Sequence, residues 1–136
     1  WGDGIVAMFD SVPEAAEAAI AMQRFVRSLD LAAIGLPGSL ALRVGGHYGP
    51  VTFAEDPLTG RTSPFGSQIA YAARIEPLAI PGSILVSDAF AARLALSPSP
   101  HLGASYVGRY SLSKMPGDAR LYALTDKAGI EVTIPG

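Results

Sequence analysis

The chain has no cysteine, which removes disulfides, thiolate metal sites and cysteine nucleophiles and is compatible with a reducing cytoplasm. It is also poor in charge: 16% of its residues are Asp, Glu, Lys or Arg, and the net charge is -2. Such a balance makes no basic field, so neither nucleic acid nor an acidic membrane surface is expected as a primary ligand, and any phosphate site must be local. No apolar run approaches the roughly 20 residues of a membrane span, and no signal-peptide pattern appears. Histidine is scarce, with only His47 and His101, so neither a zinc site nor a Ser-His-Asp arrangement is supported. The glycines nowhere form GxxxxGK[ST], which argues against a phosphate-binding loop of that type.

What is present suits one domain. A chain of 136 residues can bury a core without metal or disulfide staples. With 49% hydrophobic residues and a mean hydropathy of +0.32, part of its surface is expected to be shared with a partner, and self-association follows as an expectation. Residues 4–9 (GIVAMF) read as a strand, followed by a helix that Ser11 caps and Glu14 closes. In that helix Ala15, Ala19, Met22, Val26 and Leu29 recur at three and four and define the expected buried face. Leu40, Leu42 and Val44 alternate as in a strand continuing toward Val51, where Gly45, Gly46 and Gly49 allow something to approach closely.

Residues 55–64 read as a loop, residues 66–79 as a second helix, and SILVS as a strand whose Ser87 or Asp88 caps a short helix. The remainder reads as a hairpin, with residues 131–134 as an edge strand or tail. These elements predict an α+β sheet with helices on one face. The chain opens at Trp1 inside a working element, so an upstream segment is expected.

The ordered set GDGIVAMF, a helix ending at Gln23, LRVGGHYGPV, AARIEPLAIPGSILVSDAF, YVGRYSLSK and RLY resembles the class III nucleotidyl cyclase catalytic domain, most closely bacterial members carrying AARIEP. The resemblance covers residues 2–124. It implies a ferredoxin-like βαββαβ core, here without its N-terminal strand and helices, and head-to-tail homodimers with active sites between the copies. It further implies cyclisation of ATP, or of GTP, with two Mg2+ or Mn2+ ions.

Four residues carry the implied chemistry. Asp3 matches a metal-binding aspartate at a hairpin tip, although an Asp-Gly pair alone is an ordinary turn. Arg74 matches the arginine that reaches the phosphates across the interface. A guanidinium suits that task because its fork donates paired hydrogen bonds and never loses its proton; its plainer reading is an interface ion pair with Glu76 or Glu55, or a solvated helix face. Ser63 falls at the base-selecting position, where a hydroxyl discriminates less sharply than a carboxylate. Lys114 matches the first lysine of a turn that binds the triphosphate tail; a lone lysine there is otherwise a solvated charge. The partner lysine of base selection and the other metal-binding aspartate would lie before Trp1.

Two positions depart from the family pattern. Ala70 stands one helical turn before Arg74 where an asparagine is usual, and Pro116 replaces the second lysine of the late turn. Loss of one preorganised donor lowers rates by about 10²–10³, which predicts a weak enzyme unless Ser67, Gln68 or Tyr71 compensates. The alternative is a degenerate cyclase-homology module that dimerises or binds nucleotide without turnover. His47 and Tyr48 are read as sheet residues.

Overall fold

Ser11 begins the first helix by accepting the Glu14 N–H at 3.3 Å, and Pro13 sits in the first turn, where its missing donor is no loss. This helix, α1 (Val12–Ser28), is followed by a short helical turn at Ala32–Ile34 and then by β1 (Val44–Gly46), β2 (Thr52–Glu55) and β3 (Thr62–Phe65). Next come α2 (Ser67–Ile75), a second helical turn at Glu76–Leu78, β4 (Ile84–Ser87), α3 (Asp88–Ala95), β5 (Leu102–Ser111) and β6 (Asp118–Asp126). The structure, a computed structural model, describes residues 4–65, 67–97 and 101–126, with backbone alone at 52 and 63–65.

The main sheet has the order β1-β4-β6-β5, with β1 parallel to β4 and the other pairs antiparallel; β2 and β3 form a separate two-stranded ribbon. The α+β class expected from the sequence is what the chain adopts. Strand β4 is central and buried along its whole length, and successive side chains on a strand face opposite ways. Ile84 and Val86 join α1, Phe90 and Leu94 of α3 and Leu124 in one cluster, while Leu85 joins Ile75, Ala79, Leu112, Ala119 and Leu121 in another. Helices therefore cover both faces, α1 and α3 on one and α2 on the other, which corrects the one-face expectation.

Three further expectations change. The buried face of α1 is Val12, Ala16, Ala19, Ile20 and Gln23, not the set containing Met22, which is 44% exposed. Gln23 turns inward because its amide donates to the Leu42 and Ser83 carbonyls at 2.9 and 3.1 Å, tying α1 to the approaches of β1 and β4. Residues 55–64 are not a plain loop. Their ends extend β2 and β3, and the turn is closed by the Asp56 N–H on the Arg61 carbonyl and by the Asp56 carboxylate on the Leu58 N–H.

Residues 4–9 form no strand: no described strand lies beside them to take up their backbone groups, and Ile5 is 86% exposed. The strand expected from Leu40 is likewise limited to Val44–Gly46. Residues 131–134 lie outside the described residues. No helix among the described residues is long and apolar enough to cross a membrane.

Candidate active site

Helix α2 lies against β1 at a distance only glycine allows. A Cβ on Gly45 would stand 2.6 Å from the Glu76 backbone nitrogen and 3.0 Å from the Ala72 carbonyl oxygen, and one on Gly49 would collide with the Gln68 carboxamide. The close approach expected at these glycines is thus made by α2. Its inward stripe is Gln68, Tyr71 and Ile75, spaced three and four apart. Ile75 is fully buried, and Tyr71 packs beside it in the same cluster.

His47, one residue beyond β1, organises the polar part of this seam. Its Nδ1 lies 2.7 Å from Ser87 Oγ, its Nε2 lies 2.5 Å from Gln68 Oε1, and its ring stacks on Tyr71 with centroids 4.2 Å apart. In the neutral ring Nε2–H donates to Gln68 and Nδ1 accepts from Ser87. Ser87 Oγ accepts in turn from the Phe90 N–H at 3.2 Å as the N-cap of α3. Burial and the nearby Asp88 carboxylate push the Tyr71 hydroxyl above its ordinary pKa, so it stays protonated through neutral pH.

Arg74 stands in the last turn of α2, half-buried, and no hydrogen bond or ion pair engages it among the described residues. Within one chain Arg74 pairs with neither Glu76 nor Glu55. Glu76 lies 3.8 Å from Arg43 instead. A half-buried guanidinium without a partner is costly to keep unless a ligand meets it.

Lys114 sits at the tip of the β5–β6 hairpin, exposed and at φ 61, a left-handed conformation uncommon outside glycine. Leu112 and Met115, either side of it, pack in the cluster of Ile75 and Tyr71, so the hairpin tip and α2 share one face of the sheet. Ser63 pairs with Ala54 across the β2–β3 ribbon, four residues before α2 begins. Asp3 lies outside the described residues. Among the described residues no three of histidine, aspartate and glutamate gather into a metal cluster, so the expected metal ions rest on Asp3 and find no donor set in the described part.

Sequence reasoning missed the roles of His47 and Gln68. The glycines opposite them were the available signal, since a strand that yields space to a helix also exposes its polar neighbours to that helix.

No family model matches the chain. It is 36% identical over 89 residues, 64% of its length, to a protein of Rhizobium meliloti (strain 1021) named "Putative adenylate cyclase 3", of which it covers 14%. Its structure superposes on the adenylyl cyclase CyaB of P. aeruginosa with a TM-score of 0.73, at 21% identity, covering 86% of this chain and 59% of that one. The fold is that of a class III nucleotidyl cyclase domain. The guanylate cyclase domain of RhGC from Catenaria anguillulae, solved with GTP, agrees with a TM-score of 0.70 at 20% identity, over 92% of this chain and 64% of that one. The chain thus spans less than two thirds of each of these proteins. In the cyclase-fold domain, Arg74, Lys114 and the α2 seam occupy one side of the sheet.

Proposed function

We propose that this domain converts ATP to 3′,5′-cyclic AMP and pyrophosphate, at a site shared between two copies arranged head to tail. The observation that carries the reading is the Arg74 guanidinium, without a partner among the described residues and held on a helix locked to the sheet in a cyclase fold. In the reaction the ribose 3′-oxygen bonds to the α-phosphorus, the bond to the β-phosphate bridging oxygen breaks, and the hydroxyl proton is lost. Arg74 donates to phosphoryl oxygens as charge builds on them, and Lys114 neutralises the triphosphate tail. Ser63 meets the base, where its hydroxyl accepts or donates and therefore leaves GTP as a competing substrate. Asp3 is the carboxylate assigned to Mg2+ or Mn2+, which would stabilise the departing pyrophosphate.

A second reading, nucleotide binding without turnover, is favoured by Ala70. Its methyl group donates nothing, and the structure turns Gln68 and Tyr71 inward onto His47, away from any role as substitutes. Only Ser67, exposed and seven residues before Arg74, remains on the same helical face. The deciding experiment is cyclic-nucleotide formation by purified full-length protein with Mn2+ and either ATP or GTP at high protein concentration. Cyclic AMP as the main product supports the first reading; no cyclic product, with nucleotide still bound, establishes the second.

A further inference from the structure

We infer that His47 is a positioning residue for Arg74: it holds the inward side of α2 against the sheet and so fixes where the guanidinium points. This rests on the reading of Arg74 as the phosphate-facing group. Three inward residues anchor α2. Ile75 is held by apolar packing, Tyr71 by the same packing and by stacking on the His47 imidazole, and Gln68 by a hydrogen bond of 2.5 Å to that imidazole.

Strand β1 alone would be a poor anchor, being three residues long and at the edge of the sheet among the described residues. The bond from His47 Nδ1 to Ser87 Oγ carries the hold across to the end of β4, whose side chains are all buried, and to the capped start of α3. The arrangement is satisfied in detail: every lone pair and proton used has a partner, and no buried side-chain nitrogen or oxygen among the described residues lacks one.

Without the imidazole, α2 keeps the apolar packing of Tyr71 and Ile75 but loses the polar tie at Gln68 and the ring stacked on Tyr71. The Gln68 end of the helix is then free to shift, and a misplacement of about 1 Å can cost about 10²-fold in rate. Ser67, Ala70 and Arg74 on the outer face would move with it.

The test uses the full-length protein and two kinds of readout. His47→Ala should lower kcat by about 10–100-fold while leaving KM for ATP within about threefold, because the ground-state contacts to base and tail lie on other elements. His47→Gln, whose amide can still donate to Gln68, should recover most of the loss. Gln68→Ala should resemble His47→Ala, and the double variant should be no worse than either, as expected for residues acting as one unit. Independently of turnover, hydrogen exchange should rise in residues 67–75 of His47→Ala and stay unchanged in α1.

Unchanged kcat and unchanged exchange in His47→Ala overturn the inference while leaving the cyclase reading intact. A uniform rise of exchange across the domain also overturns it, since that is the mark of a general structural role. A wild-type protein without turnover overturns the cyclase reading, and the exchange pattern then decides by itself whether His47 holds α2.

Discussion

Beneath α1 and α3 the sheet is sealed by groups that satisfy one another. Gln23 is buried yet bonded to two carbonyls, Asp126 is buried yet paired with Arg24, and Phe90, Leu94, Ile20 and Leu124 fill the space between. Beneath α2 the finish differs. Contact there depends on missing side chains at Gly45 and Gly49, on a polar seam around His47, and on a guanidinium and an ammonium that face outward with no partner among the described residues. A residue without a partner is a cost to folding and an opportunity for binding, so on the proposed function the two faces divide stability from chemistry.

That division can be broken from either side. Arg74→Ala should cost the most, lowering cyclic-nucleotide formation by about 10²–10³-fold with an unchanged or raised melting temperature, because no described residue bonds that guanidinium. A matching fall in melting temperature would mean that Arg74 is structural. On the sealed face the same kind of truncation should do the reverse: Leu124→Ala should lower the unfolding free energy by about 2–5 kcal/mol in denaturant titrations. Gly45→Ala sits on the boundary, since its methyl group meets backbone that cannot swing aside; overpacking of about 1–3 kcal/mol is expected, together with lost turnover through displacement of α2. Stability loss with full turnover would separate α2 from the site.

The smallest effect concerns Tyr71. Its hydroxyl pKa is raised by burial and by Asp88, so the folded state keeps its proton longer than the unfolded chain does. The stabilisation is fully present below the ordinary tyrosine pKa and is lost as pH rises through the higher folded value. Alkaline titration of stability should therefore fall in wild type and flatten in Tyr71→Phe; equal slopes would contradict the assignment.

The elements with strong local signals were legible in the sequence: the Ser11 cap, β4 as a continuous apolar run ending at the Ser87 cap, and the β5–β6 hairpin. The β2–β3 ribbon was not, because residues 55–64 are rich in turn formers and its short strands carry no clean alternation. The inward face of α1 lies one step out of register from the apolar spacing because it includes Gln23, whose burial two carbonyls make favourable. Residues 4–9 have strand composition without a described neighbour to pair with, and composition alone cannot supply one. Arg74 is singled out by its family motif alone, while the hold of His47 on Gln68 and Tyr71 depends on a contact between segments about twenty residues apart that no local pattern encodes.

The most direct test of a site shared between copies is complementation. Asp3→Ala and Arg74→Ala, each purified as full-length protein, should each be nearly inactive with ATP and Mn2+. Mixed in equal amounts, they should regain roughly a quarter of wild-type cyclic AMP formation, because half of the randomly formed dimers keep one intact site. A mixture as inactive as its components, alongside an active wild type and confirmed subunit exchange, would place both residues in the same copy and contradict the account.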